Sequence, residues 1–481
     1  MMPIHGKSLR FTCPVSARCG GCQLNRLTYA QQLHMKQEQV AKLLAPFCEV
    51  QPILGMENPF HYRNKVHAVF AVDKRGMPIS GVYAAGTHRV VPVKHCLIED
   101  ERADRVIQAI VELLPSFKLR IYNEYTHRGF LRHVLIRTGQ YTREMLVVLV
   151  ATSLEFPGRR AFVEALRAKC PEITSLVLNL NDRQTSQVLG KKETVLFGPG
   201  YLEDELCGKR FRISPQSFYQ VNVQQAERLY ETAIRLANFT GKESLLDAYC
   251  GTGTIGLCAA EHVKHLTGVE LNPDAVRDAK ENARRNGVTN ASFLCDDAGR
   301  FMMKLAKEGV APDVVMMDPP RAGSDMPFLK SLLTLGPKRV VYVSCNPETL
   351  ARDLAVLCAG GYKVETAVPV DMFPCTEHIE TVMSLVQQKP DDIVKVGIDA
   401  DELAVTKAES KATYGEIQAR VKEQTGLNVT PLYIAQVKRK YGIIERECYN
   451  KAKSESAKML ICPPDKEKAI EDALRFFGMI A

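Results

Sequence analysis

The apolar positions along this chain change their period three times, and each change marks a different kind of structure. Over residues 28–44 (TYAQQLHMKQEQVAKLL) they recur every three to four residues, which predicts an amphipathic helix capped by Thr28 with its lysines on the solvated face. Between 59 and 200 the pattern shortens to strand-like runs: FHYRNKVHAVFAV, GVYAAGTHRVVPV, RGFLRHVLIRTG, EMLVVLVAT and SLVLNLN. Alternation in RHVLIRTG and the run in MLVVLV predict an antiparallel sheet with one covered face. From 245 onwards, strands alternate with helices. LLDAYCGTGTIGL reads as strand, turn and helix, followed by the strand HLTGVEL and the helix NPDAVRDAKENARRNG, capped by Asn272 and closed at Gly287. The strands ASFLCDDAG, VVMMDPPRAG and VVYVSCNPETL follow, so this part predicts a doubly wound parallel sheet.

Beyond Gln388, Lys389-Pro390-Asp391-Asp392 reads as a linker. It precedes a helix at 413–426, a second opened by Thr430-Pro431, and a third from Pro463-Pro464 to Phe477. The first two, around a turn containing Gly426, resemble a helix-turn-helix whose Lys438, Arg439 and Lys440 either touch nucleic acid or favour a helix end. Four regions result: 1–58, a cysteine loop and helix; 59–205, a β-rich domain; 206–390, the α/β domain; and 391–481, a helical extension.

The chemistry gathers at strand ends. Cys345 follows an apolar strand and precedes Asn346-Pro347, at the edge where open α/β sheets place their sites. An isolated cysteine there is usually a small packing residue. Its neighbours argue otherwise. Gly251, Gly253 and Gly256 follow the G-x-G-x-x-G spacing, which alone is weak, and about twenty residues on Glu270 ends a strand where a carboxylate accepts ribose hydroxyls. Acidic Asp247 opens that loop, a feature more typical of S-adenosylmethionine enzymes than of nicotinamide enzymes. Asp296 and Asp297 end the next strand, near the expected adenine. Asp318-Pro319-Pro320 resembles the signature of methyltransferases acting on exocyclic amines, but Arg321 replaces their stacking aromatic residue. A hairpin then brings Glu377, His378 and Glu380 to the same edge.

One thiol, one carboxylate and one methyl-donor site are the minimum set for methylating carbon 5 of a uracil. That carbon is a poor nucleophile until a thiolate adds to C6, and a base must then remove the C5 proton. An ordinary thiol is mostly protonated at neutral pH, so positive potential is needed, from Arg321 or the helix after Pro347.

The totals bound this reading. With 481 residues, 46% hydrophobic and 25% charged, the chain suits two to four globular domains, and a net charge of +8 is compatible with a polyanionic partner. Arg63, Lys65, His67, Arg128, Arg132, His133 and Arg137 interleave with aromatic residues, either as an ordinary charged face or as a groove that tracks phosphates. No apolar run reaches the roughly 18 residues of a membrane helix, and a cytoplasmic location without membrane partners is expected. There, fifteen cysteines are no disulfide framework. Cys13, Cys19 and Cys22 with Cys96 as the distant fourth suit an iron–sulfur cluster, a zinc ion or free thiols, in that order.

Taken together, CPVSARCGGC with Cys96, SFYQVN, DAYCGTGTIGL, DPPRAG, VSCNPETLARDL and DMFPCTEHIE resemble the RNA 5-methyluridine (uracil-C5) methyltransferases over residues 10–388. The resemblance implies a Rossmann-like class I S-adenosylmethionine-dependent methyltransferase domain, an N-terminal iron–sulfur and β-rich RNA-binding region, and a small helical C-terminal extension outside the family core. It implies Cys345 as nucleophile and Glu380 as base. Donor contacts would come from Gln220, Tyr249, the Gly251 loop, Glu270, Asp318 and, more weakly, Asp297. It further implies a [4Fe–4S] cluster on Cys13, Cys19, Cys22 and Cys96, which favours the 23S ribosomal RNA branch over transfer RNA. The expected partner is protein-free 23S RNA or an assembly intermediate, methylated at one site or two by a monomer. Transfer RNA as substrate, or a non-catalytic RNA-binding protein on the same fold, are the alternatives. The short stretch before Cys13 leaves no room for the β-barrel that often opens the ribosomal members.

Overall fold

Residues 11–84, 86–184, 187–388, 414–441, 462–477 and 479–480 are described by the computed structural model, which divides into two units, Met1–Ile393 and Val394–Ala481. The linker at 389–392, the cap at Thr413 and the side chain of Arg439 lie outside the described residues.

In the first unit the helix at the N-terminal end runs Tyr29–Leu44, and Thr28 caps it with a reciprocal bond to Gln31. Tyr29, Gln32, Lys36, Val40 and Leu44 form its buried stripe, so Lys36 is not on the solvated face the periodicity predicts. It lies in the stripe because the Asp371 carboxylate waits there, 2.5 Å from its Nζ.

Strands β1 (Lys65–Val72), β2 (Pro78–Tyr83), β3 (Val90–Pro92), β4 (Leu131–Thr138), β5 (Met145–Ala151), β6 (Ser175–Leu180) and β7 (Lys192–Phe197) make one sheet in the order β3-β2-β1-β4-β5-β6-β7. The sheet is mixed rather than antiparallel: β5 crosses over through the helix Arg159–Lys169 and pairs with β6 in parallel. Both faces of β4 and β5 are buried. One packs on the helices Glu101–Leu113 and Arg159–Lys169; the other sends Leu135, Leu146, Val148 and Val177 into the core it shares with the next domain.

Three of the seven residues offered for a phosphate groove are withdrawn from solvent. Arg132, His133 and Arg137 are buried, and Arg132 donates to the carbonyls of Asn181 and Arg183 and to Glu124, while Arg137 donates to the Ser217 carbonyl. Burial lowers His67 to about 4 and His133 to about 3, so both rings are neutral. Arg128 stays exposed.

After the hairpin of β8 (Leu202–Leu206) and β9 (Lys209–Ile213), a second seven-stranded sheet follows. Its strands are β10 (Ser244–Ala248), β11 (His265–Glu270), β12 (Ala291–Cys295), β13 (Val314–Met317), β14 (Arg339–Ser344), β15 (Tyr362–Val370) and β16 (Glu380–Gln387), in the order β12-β11-β10-β13-β14-β16-β15. The strands are parallel except β16, which pairs antiparallel with both β14 and β15. This is a doubly wound, Rossmann-like sheet with one antiparallel strand inserted beside its edge. The chain leaves β10 in one direction and returns beside it at β13, so the sheet's topological switch lies between those two strands.

In the second unit, the helices Tyr414–Thr425, Pro431–Lys440 and Pro464–Phe476 enclose Ile417, Val421, Ile434, Ile470 and Leu474. Of the basic helix end, Lys438 is buried, while Lys440 stays on the surface and pairs with Glu467 and Glu471. No helix among the described residues is long and apolar enough to cross a membrane.

Candidate active site

The switch point between β10 and β13 opens into a cavity of about 550 Å³. On its β10 side, the Asp247 carboxylate accepts the Gly256 N–H at 3.0 Å and holds the turn 249–253 against the following helix. That turn is left-handed at Tyr249, Gly251 and Gly253, with φ of 73°, 55° and 81°. Only the tyrosine stores strain there, and its ring rests on Phe328 with centroids 4.9 Å apart. A Cβ added at Gly251 would meet no heavy atom within 4 Å, so the backbone itself faces the open cavity. Glu270, at the end of β11, accepts from the N–H of Gly251 at 3.2 Å and of Asn272 at 2.8 Å, which fixes its carboxylate at the rim.

Cys345 and Glu380 arrive from the other side. The β14–β16 register ends with Ser344 opposite Thr381, so one step further places Cys345 opposite Glu380. Because β16 runs against its neighbours, its first residue lies at the carboxyl edge where the parallel strands end. Asp318 follows β13 directly. Gln220 reaches the same cavity on a segment held by Asn64, whose amide donates to the Gln220 carbonyl at 3.0 Å, and by Arg137 at Ser217. Of the predicted site residues, Gln220, Tyr249, Gly251, Glu270, Asp318, Cys345 and Glu380 thus line one cavity. Asp297 does not. It caps the helix Ala298–Lys307 and lines a neighbouring cavity of about 650 Å³ that shares Tyr249, Glu270 and Pro320 with the first.

Electrostatically the cavity is an acidic pocket with a low dielectric. Burial lifts Asp318 to about 7 and Glu380 well above the ordinary carboxyl range, and no hydrogen bond from the described residues reaches either carboxyl. The Cys345 thiol is pushed up to about 11 by burial, then by Glu380 and Asp318, which together outweigh Arg321. Arg321 lowers this thiol as expected, but its effect is outweighed. Arg321 also shares a hydrogen bond with His378, 3.0 Å from its Nδ1.

Some residues that bear on the site carried weaker signals. Arg63, read as a phosphate contact, lines this cavity, as do Phe373 and Phe218, the latter 66% exposed at the mouth. The segment carrying Phe373, His378 and Glu380 is clamped by the first helix: Lys36 also donates to the Phe373 carbonyl at 3.1 Å, and Tyr29 donates to Asp371 at 2.8 Å. A lysine in register with Tyr29, Val40 and Leu44 on the buried helical stripe was the signal for that clamp.

Cys13, Cys19, Cys22 and Cys96 line a separate cavity of about 430 Å³ together with Cys375. The Cys375 thiol donates to the Cys22 sulfur. Among the described residues no group of three or more His, Cys, Asp or Glu side chains could hold a metal ion, so the expected metal-holding group is not formed.

With this geometry in view, a family model described as tRNA (uracil-5-)-methyltransferase matches residues 28–388. An uncharacterized RNA methyltransferase of Halalkalibacterium halodurans is 44% identical over 378 residues, covering 78% of this chain and 82% of the relative. Another from Staphylococcus aureus is 42% identical over 375 residues, covering 77% and 83%. Among solved structures, Pyrococcus abyssi tRNA (uracil-54, C5)-methyltransferase in complex with S-adenosyl-L-homocysteine superposes with a TM-score of 0.64 at 28% identity, covering 76% of this chain and 86% of that one.

Proposed function

Since the chain belongs to the family of RNA (uracil-5-)-methyltransferases, we propose that it methylates C5 of a uridine in 23S ribosomal RNA, with Cys345 as nucleophile and Glu380 as base. The observation that carries the reading is the register that sets Cys345 against Glu380 in a cavity also lined by Asp318 and Glu270.

S-adenosylmethionine, when bound, supplies an electrophilic methyl group. The Gly251 backbone, Tyr249, Glu270, Gln220 and Asp318 would hold it. Buried Glu380 and half-buried Asp318, which have no hydrogen-bond partner among the described residues, suit a cationic ligand, because a positive charge beside them restores their ionised forms and offsets their mutual repulsion. The Cys345 sulfur adds to C6 of the uracil, which loads negative charge onto the O4–C4–C5 system and makes C5 nucleophilic. C5 then takes the methyl group. Glu380 removes the C5 proton, the C5–C6 double bond re-forms, and the Cys345 sulfur leaves C6. The base must leave its stack to reach Cys345, so a loop uridine is the natural target.

Ribosomal RNA is favoured by the N-terminal CPVSARCGGC loop and its meeting with Cys96 in one cavity. A [4Fe–4S] cluster enters the proposal only through the family resemblance. Cys13, Cys19, Cys22 and Cys96 would hold it, no step passes through it, and iron and sulfide analysis of an anaerobic preparation tests it. Transfer RNA is the second reading, favoured by the archaeal structure that superposes on this chain.

Tritiated methyl transfer to protein-free 23S RNA and to bulk transfer RNA, each lacking 5-methyluridine, decides between them. Label in 23S RNA supports the first reading, and label confined to transfer RNA replaces it with the second. Glu380→Gln is expected to trap the Cys345–RNA adduct on a denaturing gel, and absence of that band would remove Glu380 as the base.

A further inference from the structure

The far end of the central sheet holds a second pocket of about 490 Å³, bounded by β1, β2, β3 and the turn 121–125. Its walls are aromatic and its charge is lopsided. Tyr83, His88, Tyr122 and Tyr125 line it, with Tyr125 78% exposed and the His88 ring edge-on to Tyr83 at 5.5 Å. Both acidic residues in the wall are used internally: Glu124 accepts from Tyr83 and pairs with Arg132, and Asp73 accepts the backbone N–H groups of Arg75 and Met77. The exposed cations Lys74 and Arg89 in the same wall have no ion pair among the described residues. An anionic ligand with a flat, stackable ring satisfies both features at once.

β1 sets the distance to the reaction. Its first residue, Lys65, lies on the cysteine cavity, and Arg63 just before it lines the catalytic one. Val72 ends the strand seven residues later, about 23 Å away at the usual strand rise. A nucleotide adjacent to the flipped uridine does not span that distance, whereas a more distant part of the same folded RNA does.

We propose that this pocket binds an unpaired nucleotide of the substrate RNA remote from the methylated uridine, stacking its base on Tyr125 and holding its phosphate with Arg89 and Lys74. The inference rests on the reading of the chain as an RNA methyltransferase and adds a second anchor to it.

Equilibrium binding to the full-length protein tests it, with two labelled probes: a hairpin around the methylated uridine and a fragment carrying the whole surrounding RNA domain. The double variant Tyr125→Ala, Arg89→Ala is expected to bind the long fragment about tenfold more weakly, with its salt slope reduced by about one, and the hairpin as the parent does. Tyr125→Phe keeps the stacking face and should restore most of the affinity in the presence of Arg89. Both side chains are exposed, so an unchanged melting temperature is the control for folding. Equal loss on both probes, or none on the long one, overturns the proposal; in the latter case a protein partner becomes the better occupant. If methyl label enters transfer RNA instead, the substrate reading fails, and the pocket is judged by the same comparison using whole transfer RNA and its target arm.

Discussion

Both sheets of the first unit bury charged side chains among apolar strands, yet to opposite ends. In the central sheet Arg132 donates to two carbonyls and pairs with Glu124, and Arg137 donates to the Ser217 carbonyl, while the buried Nε–H of each has no partner among the described residues. At the edge of the methyltransferase sheet, Glu380 is buried and Asp318 half-buried, and neither meets a hydrogen-bond donor among the described residues. The difference teaches how to read a buried charge. Where the protein supplies the partner, the charge is a staple; where it supplies none and a cavity lies alongside, the partner comes from outside.

The largest effect separates the two sheets completely. Cys345→Ala removes the sulfur that must add to C6, and methyl transfer should fall by about 10⁴-fold or more. Donor binding, measured by calorimetry, and the melting temperature should barely change, because the thiol lines a cavity and supports no packing. Turnover within tenfold of the parent would place the nucleophile elsewhere. Lys36→Met probes the clamp between the regions. It leaves the Asp371 carboxylate buried without its ion-pair partner, at a stability loss of about 3–5 kcal/mol in chemical denaturation. Adding Asp371→Leu should recover much of that loss. The single variant should also lower kcat, since the clamped segment carries Phe373, His378 and Glu380. A Lys36→Met variant as stable as the parent would show that the clamp contributes nothing.

The doubly wound sheet and its strand-end residues were legible because parallel strands, glycine turns and caps write themselves locally: Asn272, Asn346 and the turn at 251–253 each appear where the pattern puts them. The central sheet was less legible. Alternation in RHVLIRTG looks the same whether its second face meets water or another domain, and only the packing of 202–237 onto β4 and β5 decides. Lys36 was hidden for a similar reason, since its partner Asp371 is 335 positions away. Asp297 stands at its strand end as the pattern puts it, but lines the neighbouring cavity, and one of its carboxylate oxygens caps the following helix. For Cys345, the strand-end pattern showed the nearby cation Arg321, but not the depth of burial, which dominates, nor that Glu380 from the last hairpin and Asp318 would face the thiol.

A smaller effect sharpens the staple side of the comparison. Arg132→Met leaves the carbonyls of Asn181 and Arg183 unmatched and breaks the pair with Glu124. A stability loss of about 1–3 kcal/mol is expected, with kcat for methyl transfer unchanged. A variant that keeps its stability but loses turnover would move Arg132 from the staple class to the functional one.

The smallest effect is read in the pH dependence of stability, where the two kinds of buried charge differ in sign. Folding raises the Asp318 carboxyl from its ordinary 3.8 to about 7, so the folded chain holds that proton more tightly than the unfolded one. Its contribution to stability is therefore fully present below pH 3.8 and is lost as pH rises through about 7. Asp318→Asn cannot ionise and carries no such slope. Without donor, its melting temperature should fall less between pH 5 and 8 than the parent's, leaving the variant a few degrees ahead at pH 8. Saturating S-adenosylmethionine should shrink that advantage, because a cation beside Asp318 favours the ionised carboxylate in the parent alone. Parallel pH curves for the two proteins would mean that Asp318 ionises freely when folded, and that the acidic pocket is better solvated than its burial implies.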